Sequence, residues 1–147
     1  MHHIRKAFAY ITNAGRLLVF RQPQSPEAGI QVPAGTIEEG ESPEAGVMRE
    51  AYEETGLEGL RLVAFLGERI RDVRDFGVDE IHHRYFYHLE YEGDSPELWQ
   101  HFEISPCDGR EEPIEFELFW AAFPDQIPEL IADHDAFFSE LAGSLHL

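Results

Sequence analysis

The chain has 147 residues, 43% of them hydrophobic and 12% aromatic, enough apolar material for one core in one domain spanning residues 1–147. Its 29 Asp and Glu outweigh 11 Lys and Arg to a formal net charge of −18, which argues against holding a nucleic acid polymer, because that needs basic patches that displace counterions. No apolar run reaches the roughly 20 residues that cross a bilayer, no apolar leader follows residues 1–6, and the single cysteine, Cys107, excludes both an internal disulfide and a cysteine-based metal site, so a cytoplasmic chain without a membrane partner is expected.

In chain order, Ala7 to Thr12 and Leu17 to Arg21 read as two strands, and the intervening Asn13-Ala14-Gly15-Arg16 as a hairpin turn. Gly29 to Gly35 reads as a short strand stopped by Pro33 and Gly35. A helix is expected after Ser42, a plausible N-cap, with Pro43 at its first position and Gly56 as its stop; Ala45 stands where a full capping box has Glu. Leu60 to Ile70 and Ile81 to Tyr91 are rich in β-branched and aromatic residues and read as strands, with Asp75-Phe76-Gly77 near the turn between them. Glu92 to about Pro113 reads as a loop, Phe116 to Phe123 as a strand, and Asp125 to Leu141 as an amphipathic helix. That helix is expected to pack on the sheet, although its apolar face also suits a homodimer. Mixed strands with two helices predict an α/β sandwich.

The chemistry concentrates between Gly35 and Leu57. On a helix turning about 100° per residue, Glu50, Glu53 and Glu54 lie at i, i+3 and i+4 and share one face, with Val47, Met48, Ala51 and Tyr52 roughly opposite to carry the packing. Like charges this close repel, and Arg49, four residues before Glu53, neutralises only part of the excess. The remaining charge calls for cations from solution. Hard oxygen ligands suit Mg²⁺ or Mn²⁺, and such ions also let an acidic chain bind a small phosphate-bearing ligand.

Gly35, Glu41, Arg49, Glu50, Glu53, Glu54, Gly56 and Leu57 fall in register with G-x5-E-x7-R-E-U-x-E-E-x-G-U, where U is aliphatic, so this segment resembles the Nudix box. Seven fixed identities, each with a background of roughly 5–8%, coincide at a given start only about once in 10⁸ random trials, which sets aside the reading of a merely solvated acidic helix. The one departure is Ala51 at the first aliphatic position, where a packing adjustment is expected. The box covers 23 residues, and the flanking elements match the family loosely along the whole chain.

The resemblance implies a Nudix-like α/β/α sandwich with a mixed β-sheet, a Nudix loop-helix and a C-terminal helix. It implies an enzyme that hydrolyses a pyrophosphate bond in a nucleoside diphosphate linked to another moiety, with Mg²⁺ or Mn²⁺ as cofactor and a small nucleotide as partner. Glu50, Glu53 and Glu54 become metal ligands, one of them activating water; the Gly35 carbonyl adds a ligand, Arg49 holds a glutamate in place, and Glu41 supports the loop-helix unit. A further glutamate from beyond the box is expected, with Glu111, Glu112 and Glu115 as candidates. Arg69, Arg71 and Arg84, with Arg74 nearby, are candidates for phosphate contacts, since a guanidinium forks onto phosphate oxygens. Tyr85, Tyr87, Trp99, Phe102 and Trp120 read mostly as core, and His82, His83, His88 and His101, which lack zinc spacing, as structural or surface groups.

The leaving group stays open among nucleoside triphosphates, ADP-ribose and related nucleotide sugars, and dinucleoside polyphosphates. Pro33-Ala34-Gly35 suggests the ADP-ribose branch, but that branch carries a proline about sixteen residues after the box, and none occurs here between Pro43 and Pro96. The tyrosine associated with the diadenosine polyphosphate branch is missing too, and so is a coenzyme A signature. The competing reading is a non-catalytic Nudix-like nucleotide-binding or sensor module, against which the intact carboxylates weigh.

Overall fold

The structure is a computed structural model and describes residues 2–103 and 113–147. Strand β1 (His2–Asn13) turns into β2 (Arg16–Arg21) through Ala14 and Gly15, with Asn13 paired to Arg16 and φ of 51° and 79° at the two central residues. Positive φ at both positions is the type I′ geometry, whose twist matches that of the flanking strands. A short β3 (Ala34–Thr36), helix α1 (Pro43–Thr55), β4 (Leu60–Asp72), β5 (Glu80–Tyr91), β6 (Leu98–Glu103), β7 (Ile114–Ala122) and helix α2 (Phe138–Ser144) follow.

The strands form one mixed seven-stranded sheet in the order β4-β5-β1-β2-β7-β6, with β3 paired to β1 off this path. β1 organises it: His2 to Thr12 run parallel to Glu80 to Glu90 of β5, while Lys6, Ala7 and Phe8 pair on the other side with Thr36, Gly35 and Ala34 of β3. Strand alternation then builds two cores. Ala7, Ala9, Ile11, Leu18, Phe20, Leu89 and Leu118 face Val47, Ala51 and Leu57 on the α1 side. Phe8, Tyr10, Leu17, Val19 and Phe86 face Leu130 and Leu141 on the α2 side. The Val, Leu, Ile and Phe side chains among them each contribute about 1.5–3 kcal/mol when fully buried. Ala51 is completely buried, so its small side chain seats the helix close on the sheet.

Three expected elements differ from those found. The strand expected over Gly29 to Gly35 is displaced: Ile30 and Gln31 make only isolated bridges to Leu130 and Phe20, and β3 begins after Pro33, which has no N–H for a ladder, and runs through Gly35. The segment expected as a loop after Glu92 contains β6, an edge strand whose inward residues are Trp99, His101 and Glu103, while Leu98 and Phe102 point outward, 48% and 57% exposed. Each face mixes apolar and polar residues, Trp99 with His101 and Glu103 inward and Leu98 and Phe102 with Gln100 outward, so the pattern carries no strand signal. The helix expected from Asp125 is confined to α2; Pro128 lacks an N–H for a helical ladder, and tertiary bonds hold the preceding stretch in turns. The Tyr10 hydroxyl donates to the His134 carbonyl at 2.6 Å and accepts from the Phe137 N–H at 3.2 Å, and the Val32 N–H donates to His134 Nδ1 at 3.1 Å. Among the described residues no helix is long and apolar enough to cross a membrane.

Burial, with Arg84 and Lys6 adding repulsion, pushes the His134 imidazole down to about 3. Its folded value lies below its unfolded value of about 6.5, so its stabilising contribution is complete above pH 6.5 and drains away as pH falls from there toward 3. His134→Gln, which keeps an acceptor for the Val32 N–H, is expected to show a smaller drop in Tm than the wild type between about pH 7 and pH 5. Equal drops in thermal melts of the two proteins would show that His134 does not govern acid sensitivity.

Candidate active site

The Ser42 hydroxyl accepts from the Ala45 N–H at 3.1 Å to cap α1, and Gly56 ends the helix in the left-handed region at φ 74°. Between these caps Arg49 spends all five guanidinium N–H groups. Nε and Nη2 grip the two Glu41 oxygens at 2.8 Å each, Nη2 also reaches the Thr36 carbonyl at 3.0 Å, and Nη1 donates to Glu50 at 2.8 Å and Glu53 at 3.2 Å. The loop before the helix is thereby fastened to the acidic side of α1. The Arg49 hydrogen bonds, with one from the Glu38 N–H, bring the Glu41 carboxyl down to about 2.

Sequence periodicity placed chemistry and packing on opposite faces of α1, and the structure corrects this. Glu50 and Glu54, 9% and 6% exposed, lie on the buried side with Val47 and Ala51, whereas Tyr52 is exposed. The arc that meets the sheet is wider than the apolar stripe, and its rim carries the carboxylates. Glu50, Glu54 and Glu103, the last residue of β6, each offer an oxygen within 4.8 Å of the others'. Burial, then repulsion from Glu103 and Glu50, holds the Glu54 carboxyl well above the usual carboxylate range, while the Ala34 N–H at 3.0 Å offsets part of that. Burial also raises Glu50, against the pull of Arg49.

Glycine at position 35 follows from this crowding. A Cβ there would lie 1.9 Å from Glu50 Cδ and 2.1 Å from Oε2, so the carboxylate rests directly on the β3 backbone. Glu53 stands apart from Glu50, Glu54 and Glu103, with its side chain 44% exposed and bonded to Arg49.

The arginine candidates gather elsewhere, about Asp133. Arg71 donates to Asp133 at 2.8 Å and to both Asp75 oxygens at 3.0 Å, and Arg69 lies 3.7 Å from Asp133. Arg74 is paired with Asp72. Arg84 is 3% exposed, stacks 4.7 Å over Phe8 and donates to the Ala132 carbonyl and to His82; burial brings it down to about 10. Glu115 is paired with outward-facing Phe102, on the sheet face away from Glu103. Glu111, Glu112 and Cys107 lie outside the described residues.

Two residues near the carboxylates escaped the sequence reading. Glu103 belongs to the alternating run Trp99, His101, Glu103, a signal legible only once β6 is recognised as a strand. Lys6, the chain's only lysine, is paired in register with Arg84 and Thr36, and its charge acts on Glu50 and Glu54 as well as on His82 and His134. It therefore stands between the carboxylates and the basic group at Arg84.

A divalent cation fits the trio by the chemistry of its donors: three convergent carboxylates supply hard oxygen ligands, and two of them are buried at a cost that a cation removes.

The NUDIX domain family profile matches residues 2–137. No curated protein sequence matches the chain. Similar solved structures include a UDP-X diphosphatase, with TM-score 0.66 and 18% identity over 99% of this chain; the chain spans 64% of that protein's length. A MutT protein from Methanosarcina mazei Go1 matches with TM-score 0.62 and 19% identity over 95% of each chain. A MutT NUDIX hydrolase from Burkholderia pseudomallei matches with TM-score 0.59 and 24% identity over 96% of this chain and 99% of that one.

Gly35→Ala is expected to leave a folded protein whose Glu50 is displaced, with turnover lowered roughly 100-fold, the cost of about 1 Å of misplacement in a preorganised site. Circular dichroism and steady-state kinetics check this; a wild-type kcat would show that the close approach is dispensable.

Proposed function

This chain belongs to the Nudix family and is a Nudix hydrolase, and from that premise we propose that it hydrolyses the pyrophosphate bond of a nucleoside diphosphate linked to another moiety, with a divalent cation, Mg²⁺ or Mn²⁺, held by Glu50, Glu54 and Glu103. The observation that carries the reading is the convergence of three carboxylate oxygens within 4.8 Å, two of them on buried residues. A cation bound there supplies positive charge against the phosphate oxygens and against the charge that develops on the attacking water. Water adds to phosphorus in line, the bridging P–O bond breaks, and the leaving phosphate departs with the bridging oxygen.

The chain's own groups divide the remaining work. Glu53, half exposed and outside the trio, takes the proton from water, and the Gly35 carbonyl offers a further oxygen toward the cation. Arg49 fixes Glu50 and Glu53 through one nitrogen and Glu41 through the other two. Lys6 and Arg84, with Arg69 at the rim, attract the phosphates beyond the bond that breaks; Arg71 serves mainly to hold Asp75 and Asp133 beside them. A UDP-X diphosphatase among similar structures suits this substrate class, within which nucleoside triphosphates, nucleotide sugars and dinucleoside polyphosphates all remain.

Glu54→Gln tests the reading through two readouts with opposite signs. With a nucleotide panel and Mg²⁺ or Mn²⁺, turnover is expected to fall at least about 100-fold. In chelator the variant is expected to melt at or above the wild-type Tm, because the amide replaces a buried carboxyl whose charged form is disfavoured there, as its raised pKa marks. A wild-type rate in this variant would sink the proposal.

A further inference from the structure

We propose that Trp99 and His101 are positioning residues that fasten edge strand β6 to the C-terminal turn of α1 and so hold Glu103 over Glu50 and Glu54. This rests on the reading that the three carboxylates bind a divalent cation, and it adds that their convergence is set by two side chains outside the box.

The last turn of a helix leaves carbonyls without intrahelical partners, and it carries partial negative charge. In α1 two of these carbonyls are taken by β6. The Trp99 indole N–H donates to the Thr55 carbonyl at 3.1 Å, and His101 Nε2 lies 2.7 Å from the Glu53 carbonyl. A carbonyl only accepts, so Nε2 carries the proton in that bond. Trp99, His101 and Glu103 are alternate residues on one strand and point to the same face. They meet the helix in descending order, Trp99 at Thr55, His101 at Glu53, and Glu103 at Glu54 and Glu50. Strand β6 therefore runs back along the helix, tied at two steps before it delivers the carboxylate at the third.

Three features make these ties matter. β6 closes the sheet order, so among the described residues β7 is its one strand neighbour, and Glu103 pairs with Ile114 at the end of that register. The outward residues Leu98 and Phe102 are exposed and contribute little packing to hold the strand. The helix end is also shaped for the imidazole. A Cβ on Gly56 would lie 3.1 Å from both Cε1 and Nδ1 of His101, so the glycine that stops the helix also leaves room for the ring. Displacing Glu103 by about 1 Å would open the cluster without touching any box residue.

The test measures Mn²⁺ binding to the metal-free, full-length protein by calorimetry and electron paramagnetic resonance. The variants are Glu54→Gln, Glu103→Gln, His101→Ala, His101→Gln, Trp99→Phe and the double variant His101→Ala/Glu103→Gln, with near-ultraviolet circular dichroism as the folding control. Loss of the His101 tie is expected to weaken Mn²⁺ at least about tenfold, the usual effect of removing a group that orients a ligand. Trp99→Phe, which keeps the ring and loses the donor, should weaken it several-fold. The double variant should bind no more weakly than Glu103→Gln alone, since both changes act through one carboxylate. His101→Gln, whose amide can donate to the Glu53 carbonyl, should recover most of the affinity, and it stands in for the alanine variant if that one does not fold. Wild-type Mn²⁺ affinity in the His101 and Trp99 variants, or multiplying losses in the double variant, would overturn the positioning role while leaving the cation reading intact. If Glu54→Gln and Glu103→Gln also bind Mn²⁺ as the wild type does, the cation reading itself falls.

Discussion

Arg49 is the cation on which the acidic end of the sheet depends. Its guanidinium reaches two oxygens of Glu41, one each of Glu50 and Glu53, and the Thr36 carbonyl, so five donors meet five acceptors. A lysine could not reproduce this, because an ammonium has three donors and no planar fork. The arrangement binds three stretches of chain: the end of β3, the loop carrying Glu41, and the helix. It also offsets part of the burial that raises the Glu50 carboxyl. Breaking such a partly buried pair costs on the order of 3–5 kcal/mol where the partner is left uncompensated, far more than a surface ion pair contributes.

β1 supplies the geometric counterpart of that electrostatic anchor. Paired with β5 on one side and β3 on the other, it holds Gly35 beside Ala7 and sets the floor on which Glu50 rests. Its even-numbered residues, Lys6, Phe8 and Tyr10, run along the opposite face, so the strand that supports the carboxylates also carries the lysine nearest them. Phe8 extends the arrangement by seating the Arg84 guanidinium, and His134 packs edge-on against the same ring at 4.9 Å. A basic group and an acidic group are thus kept apart by the thickness of one strand.

The charge excess takes on a local meaning in this setting. Most arginines are engaged with carboxylates on the surface, as in Arg16 with Glu97, Arg21 with Glu117 and Arg61 with Glu90, and pairs of that kind contribute at most about 1 kcal/mol each. Among the described residues Lys6 and Arg84 make no ion pair within 4.0 Å. A protein of net charge −18 thus keeps one cation, Lys6, whose charge acts on the carboxylate cluster without an ion pair of its own among the described residues.

The hairpin at Ala14-Gly15, the helix from Pro43 to Thr55 with both caps, and the family itself were legible from residues 7–57 alone, because turn chemistry, capping and box spacing are local. The sequence by itself also determined that Arg49, Glu50, Glu53 and Glu54 lie within one helical turn or so of each other, since helix geometry follows from spacing. Only the tertiary structure decided which carboxylates converge. Glu103 is 49 residues beyond Glu54, on a strand whose two faces each mix apolar and polar residues, so no periodicity announced it, and the glutamates at positions 111, 112 and 115 drew attention instead. The shortening of the last helix to Phe138–Ser144 had the same origin, with bonds from Tyr10 and Val32 outweighing an amphipathic pattern. Local pattern settles what a segment can form; which partner satisfies its buried polar groups is settled by residues distant in the chain, and here those partners set both the third carboxylate and the end of the fold.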